Sequence, residues 1–200
     1  NWLHEVKFDG YRLLARIEDR RVRLVSRNGL DWTEKFPRLA EALGRLPVRA
    51  ALVDGEAVAL DENGHSSFQR LQEALASQRT DEIVFYAFDL VHLDGWDLSE
   101  AKLVDRKALL EALIPRGEGI VRYSDHQEGN GRAFYEAACR MELEGTVAKE
   151  RDAPYRPGRG RAWVKTKCLD REEFAVVGWT DPGGSRVGLG ALVLGYYDEA

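Results

Sequence analysis

Cysteine is scarce: Cys139 and Cys168 are the only two in 200 residues, too few and too far apart for a disulfide framework or a Cys-x-x-Cys metal knuckle. The expectation is two ordinary packing residues in a reducing cytosol. Long apolar runs are missing as well. None approaches the ~20 residues that a membrane-spanning helix needs, so no membrane partner is expected. Positive charge is not in excess, and a net charge of -5 argues against a protein that coats nucleic acid unselectively. Repeats and low-complexity segments are absent, which excludes solenoids and disordered tracts. No charged-then-apolar leader precedes Asn1, which opens inside a strand-like run. The sequence reads as one full domain plus a fragment, cut from a longer chain.

What is present is a close interleaving of short strands and short helices. Leu3 to Phe8, Arg12 to Ile17 and Val22 to Ser26 are rich in apolar and β-branched residues, and turns at Asp9-Gly10 and Glu18-Asp19-Arg20 join them into an expected antiparallel meander. Pro37 opens a helix carrying Leu39, Ala40 and Leu43. Ala51 to Leu60 and Ile83 to Leu93 read as strands, and the second is apolar enough to be central. Ser66 with Gln69 forms an expected capping box, Asp105 an expected cap for the helix through Leu113, and Arg132 to Met141 a further helix. Hairpins mixed with helices indicate an α+β architecture. After Lys167 the helix signal stops. Phe174 to Trp179 and Leu189 to Tyr197 are strand-like around Pro182-Gly183-Gly184-Ser185, and two strands make no independent domain.

The chemistry concentrates around Lys7. A lysine at the end of a strand, followed by Asp9-Gly10 and Arg12, is held beside a carboxylate and a guanidinium, which suits a lysine nucleophile. Ser26-Arg27-Asn28-Gly29 ends another strand with an arginine at a turn. Asp54-Gly55-Glu56 adds carboxylates, and Phe88-Asp89 sets an aromatic beside an acid. Glu144-Gly145-Thr146-Val147-Ala148-Lys149 supplies a further carboxylate, and Lys165 and Lys167 share one strand face because residues i and i+2 point the same way. From Lys149 to Lys167 there are seven basic residues and two acidic ones, a strip that suits phosphate recognition or a solvated loop equally. Taken alone, Asp-Gly is a hairpin turn, Phe88 a core aromatic and Glu56 a surface acid. Order and joint occurrence change that.

Lys-x-Asp-Gly, Ser-Arg-x-Gly, Asp-Gly-Glu, Phe-Asp-Leu, Glu-Gly-x-Val-x-Lys and Trp-x-Lys-x-Lys, in this order across nearly the whole chain, resemble the covalent nucleotidyltransferases: ATP-dependent DNA ligases, RNA ligases and capping enzymes. His4 to Arg12, Arg27 to Thr33 and Tyr155 to Arg159 are similar, more narrowly, to the ligase domain of bacterial ligase D, which acts in non-homologous end joining. The resemblance implies an adenylation domain over residues 1–170, of mixed and largely antiparallel sheets flanked by helices, and the start of an OB-fold barrel over 171–200.

The same resemblance implies roles. Lys7 attacks the α-phosphate of ATP and carries AMP, with Asp9 and Arg12 completing the catalytic group. Attack needs a neutral amine, whereas a free lysine titrates at about 10.4, so neighbouring cations at Lys165 and Lys167 and a bound metal are expected to favour the neutral form. Glu5, Val6, Arg12, Arg27, Glu56, Phe88, Val147, Lys149, Lys165 and Lys167 are expected around the nucleotide, with Phe88 and Val147 on the two faces of adenine. Glu144, with Glu56, is expected to hold Mg2+ or Mn2+. Arg12, Arg27, Arg156, Arg159 and Arg161 are expected to grip DNA phosphates. Trp163 is read as packing beneath the lysine strand. Implied partners are nicked or broken double-stranded DNA, a Ku-type end-binding protein and fused polymerase and phosphoesterase domains, in the bacterial cytoplasm near the nucleoid.

The chain departs from the family at its ends. Only Glu172 to Ala200 corresponds to the OB-fold domain, whose last motif lies beyond, so the expectation is poor loading of Lys7 by this piece alone. An RNA ligase or capping-type enzyme shares the Lys-x-Asp-Gly core, although a capping enzyme uses GTP. A non-catalytic nucleotide or DNA-binding module would require degraded motif residues, and no matched position is substituted.

Overall fold

A computed structural model describes residues 1–114, 119–158, 160–168, 174–184 and 187–196. Arg159 lies outside the described residues. The chain divides into two compact units, residues 1–168 and 169–200.

The first unit is built on two sheets. Strands β1 (Trp2–Val6), β8 (His126–Glu128), β9 (Gly145–Glu150) and β10 (Trp163–Lys167) form a four-stranded antiparallel sheet in the order β10-β9-β1-β8. The larger sheet runs β3 (Arg21–Ser26), β2 (Tyr11–Glu18), β4 (Ala50–Ala59), β5 (Ile83–Leu93), β6 (Trp96–Asp97), with β7 (Val121–Tyr123) parallel to β5. Alternation in β2 gives it two different faces. Leu13, Ala15 and Ile17 are buried in the main apolar core with Val53, Ala57, Phe85 and Ala87, while Arg12 projects from the opposite face of the sheet.

Helices cover the core side. Helix α1 (Pro37–Leu43) contributes Leu39 and Leu43, α2 (Phe68–Ala76) contributes Leu71 and Ala74, and α3 (Leu103–Leu113) contributes Leu110 to that core. Helix α4 (Gly131–Arg140) packs on β9, β1 and β8 of the four-stranded sheet. Two caps differ from expectation. Ser67, not Ser66, caps α2 by accepting from the Arg70 amide, and α3 starts after Lys102 with Asp105 inside its first turn and no side-chain cap. An acid in the first turn still favours the helix through the dipole.

The meander is corrected as well. β2 and β3 form the expected hairpin, but β1 leaves it and pairs with β8 and β9 instead. Asp9-Gly10 is therefore a crossover between sheets rather than a hairpin turn. A Cβ at Gly10 would lie 2.2 Å from the Ala57 carbonyl oxygen, so only glycine lets the crossover pass this close to β4.

The cysteines are the third correction. Cys139, near the end of α4, is disulfide-bonded to Cys168, directly after β10. A separation of 29 residues looked too long for a pair, yet α4 and the end of β10 meet beside β9. The reading of a reducing compartment loses its cysteine premise.

The second unit contributes β11 (Ala175–Thr180) and β12 (Ala191–Gly195), an antiparallel pair with a register shift between Val176 and Gly178. Val176, Val177, Trp179 and Leu192 on this pair are exposed. Among the described residues, no helix is long and apolar enough to cross a membrane.

Candidate active site

The cleft lies between the two sheets. Lys7 follows β1, and its amide still donates to the Gly145 carbonyl at 2.9 Å, so the ladder continues one residue past the strand. This fixes Lys7 beside the start of β9. Its ammonium is ion-paired with Glu144, and the other oxygen of that carboxylate takes Lys167 at 3.1 Å. One carboxylate therefore bridges two lysines. The crossover behind Lys7 is held by the Asp9 amide donating to Ser66 Oγ at 2.9 Å. Ser66, expected to cap a helix, instead braces the site.

Arg12 is fixed from the larger sheet. Its Nε donates to Asp54 Oδ1 at 2.9 Å and its terminal nitrogen to Asp54 Oδ2 at 2.5 Å, a bidentate pair that fixes the plane of the guanidinium. The guanidinium carbon lies 5.6 Å from the Phe88 ring centroid and 5.2 Å from that of Trp163. Asp54 and Glu56 share a face of β4 by strand alternation, and the residue between them must be glycine. A Cβ at Gly55 would lie 2.3 Å from the Phe85 ring and 2.7 Å from the Tyr86 carbonyl oxygen.

Glu56 sits among like and unlike charges. Burial pushes its carboxyl up to about 7, Asp54 adds to the rise, and Lys165, Arg12 and Lys7 oppose it. Lys165 is displaced downward, first by burial and then by Lys7, Arg12 and Arg27, against the pull of Glu56. Arg27 is exposed at the start of the turn after β3 and reaches Lys165 only through its charge. Lys165 pairs across the ladder with Val147, which pairs in turn with Glu5.

Deeper in the cleft is a polar hub that the sequence only half disclosed. The buried Glu5 carboxylate accepts from Lys107 at 2.8 Å, Lys149 at 2.9 Å and Ser124 Oγ at 2.9 Å. Burial alone would raise the Glu5 carboxyl, but Lys149 and Lys107 outweigh it and hold it below the usual carboxylate range. Lys149 also lies 4.4 Å from the Phe88 centroid and 4.2 Å from the Trp163 centroid. Glu5 and Lys149, expected at the nucleotide, have their charged groups committed to each other. Val6 alternates with Glu5 and Lys7, so its side chain points away from the cleft and its backbone is what it can offer.

The larger strip disperses. Arg156 makes a bidentate pair with Glu100 at 2.6 and 2.9 Å, Arg151 pairs with Glu128 and Asp152, and Arg161 is exposed. Arg156 and Arg161 thus lie on the connection from β9 to β10. Trp163 does pack, edge-on to Phe88 at 5.6 Å, but within the cleft. The residues missed from sequence are Ser66, Lys107 and Ser124. Their signal was parity and pairing with distant residues, which a local pattern does not carry.

Comparison with known proteins agrees with this geometry. Residues 1–167 match the family model described as ATP dependent DNA ligase domain. The chain is 45% identical over 197 residues to the "Multifunctional non-homologous end joining protein LigD" of Pseudomonas aeruginosa, covering 98% of this chain and 24% of that protein. It is 34% identical to a "Probable DNA ligase" of Kineococcus radiotolerans, covering 98% and 40%. Among solved structures, "mycobacterial DNA ligase D complexed with ATP and MES" superposes with a TM-score of 0.72 at 35% identity, over 97% of this chain and 62% of that one. The chain spans about a quarter of the LigD proteins it matches. A lysine bridged to a carboxylate at a sheet-to-sheet crossover, in a sequence matched over residues 1–167, places the chain in the ATP-dependent DNA ligase domain family.

Proposed function

We propose that the chain is the catalytic domain of an ATP-dependent DNA ligase in which Lys7 carries AMP between ATP and a DNA 5′-phosphate. The observation that supports this most directly is the Lys7–Glu144–Lys167 cluster. Lys7 Nζ forms the P–N bond to the α-phosphorus while the bond to the bridging oxygen breaks and pyrophosphate leaves. The ammonium gives its proton to solvent before attack, and Glu144, paired with Lys7, holds Nζ in place. AMP then passes to a DNA 5′-phosphate, and a 3′-hydroxyl displaces it to close the backbone. Each exchange at phosphorus rests mainly on positioning and charge neutralisation.

Phe88 and Val147 are assigned to the faces of adenine, Glu56 to the ribose or metal, Arg27, Lys165 and Lys167 to phosphates, and Glu5 and Lys149 to the frame behind the base. Among the described residues, no three His, Cys, Asp or Glu side chains group as a metal cage. Two separate carboxylates nevertheless fit Mg2+ or Mn2+, since Mg2+ binds through one or two carboxylates plus phosphates and water. Glu144 and Glu56 would hold it, and when bound the ion neutralises phosphate charge.

The substrates are nicked or broken duplex DNA. We assign the parent protein to non-homologous end joining, the process that the names of the LigD relatives state, and extend the assignment to a Ku-type partner, fused polymerase and phosphoesterase domains and a cytoplasmic, nucleoid-associated location. Residues 171–200 are assigned to the start of an OB-fold domain. Intact-mass measurement after incubation with ATP and Mg2+ tests the reading. We expect an AMP adduct on the wild type and none on Lys7→Ala. An adduct formed from GTP instead would favour a capping-type enzyme, and no adduct on the parent-length protein would favour a binding module.

A further inference from the structure

The Arg12–Asp54 pair has a third member that no motif assigns. Tyr155 Oη donates to Asp54 Oδ2 at 2.9 Å, the same oxygen that receives the terminal nitrogen of Arg12. Asp54 is buried, so its oxygens depend on protein donors. Two come from Arg12 and one from Tyr155.

Tyr155 is itself held tightly. Its amide donates to the Ser99 carbonyl at 2.7 Å, and its neighbour Arg156 clamps Glu100. Under its ring sits Arg106, with the guanidinium carbon 5.9 Å from the centroid. Arg106 is fully buried and makes a bidentate pair with Asp89 at 2.8 and 2.9 Å. It also donates to the Ala101 carbonyl at 2.5 Å and the Ala153 carbonyl at 3.1 Å. The amides of Leu103 and Val104 donate to the carbonyls of Ala153 and Arg151. Residues 99–106 thus form a bracket around residues 151–156, and the hydroxyl of Tyr155 extends that bracket into the cleft.

We infer that Tyr155 is a positioning residue that sets the orientation of Arg12 through the shared Asp54 carboxylate, joining the loop between β9 and β10 to the active site. The geometry explains why the hydroxyl matters separately from the ring. The ring packs over Arg106, whereas the hydroxyl completes the coordination of the one carboxylate that fixes the guanidinium plane. Without it Asp54 can rotate, and Arg12 loses its fixed direction between Phe88 and Trp163. A hydrogen bond to a charged partner is worth more than a neutral one, so its loss is expected to slow the Arg12-dependent step about tenfold.

This inference rests on the ligase reading for its kinetic consequence, but not for its structural one, and the test has an arm for each. Tyr155→Phe keeps the ring and removes only the donor. By NMR, the Arg12 Nε–H of the wild type is expected to exchange slowly with solvent, and at least fivefold faster in Tyr155→Phe; unchanged protection overturns the inference. In the kinetic arm, AMP transfer to Lys7 and sealing of a pre-adenylated nick are measured on the parent-length protein for Tyr155→Phe, Arg12→Ala and the double variant. Tyr155→Phe should slow the same step as Arg12→Ala and add nothing to it in the double variant. Additive losses, or a loss in a different step, would mean that Tyr155 does not act through Arg12. Should the wild type form no AMP adduct, the ligase reading fails, while the NMR arm still decides the coupling.

Discussion

Glu56 shows how one carboxylate can tie stability and activity to the same pH window. Its carboxyl is raised from 4.5 to about 7, chiefly by burial. Between those values the unfolded chain has already released this proton while the folded chain retains it, so stability falls as pH rises through the window and is flat above it. The full effect is roughly 3 kcal/mol. Glu56→Gln should therefore be more stable than the wild type at pH 8 and nearly indistinguishable at pH 4, as read by thermal unfolding at both values. Activity should run the opposite way. The ionised carboxylate is the form that can hold a cation or a ribose hydroxyl, so AMP loading should rise through about pH 7 and lose that rise in Glu56→Gln. At this scale the sequence was highly informative about chemistry and poor about partners. Lys7, Glu144 and Lys167, drawn from three separate motifs, stand together, whereas Glu5 gave no sign that Lys107 and Ser124 would occupy its oxygens. The ion pairs of buried groups are set by the fold, not by neighbours in the chain.

Elements carry the next constraint. Apolar patterning was enough to find β2, β3, β4 and β5: β2 alternates along its buried half, whereas β4 and β5 are buried on both faces over most of their length. It was not enough to assign β1. Leu3 and Glu5 alternate like any strand, but their partners are Lys149 and Val147, and no turn chemistry announces pairing across most of the sequence. The same non-locality hid the link between Cys139 and Cys168. That cystine fastens the end of β10 to α4, next to the point where the Cys168 amide donates to the Glu144 carbonyl at 3.0 Å. Closing a loop of this length limits the unfolded ensemble by about 3.6 kcal/mol. Urea unfolding should therefore shift to lower denaturant when the oxidised protein is treated with reductant, by up to that amount. A Cys139→Ala, Cys168→Ala variant should be insensitive to reductant. Equal midpoints for the wild type with and without reductant would show that the bond contributes nothing to stability.

For the molecule as a whole, on the proposed ligase reading, the balance of charge over this chain sets how DNA can be held. With a net charge of -5, long-range attraction to a polyanion is unavailable, and the grip must come from local cations that replace counterions on phosphates. The sequence presents the segment from Arg151 to Arg161 as such a strip, but the fold neutralises much of it internally. Arg156 is committed to Glu100 and Arg151 to Glu128 and Asp152, so contact with a phosphate requires an exchange of partners. Each exposed pair is individually weak, which makes the exchange feasible and also makes it adjustable. Two opposite outcomes follow from the one arrangement. Replacing Arg156 and Arg161 with alanine should weaken binding to a nicked duplex and flatten the slope of log affinity against log salt by up to about 2, at close to one unit per phosphate contact. Replacing Glu100 with glutamine should do the reverse, freeing Arg156 to strengthen binding at low salt and steepen that slope. Fluorescence anisotropy with a nicked duplex across a salt series reads both. If Glu100→Gln left the slope at its wild-type value, Arg156 would belong to the internal bracket of the fold and not to the surface that meets DNA.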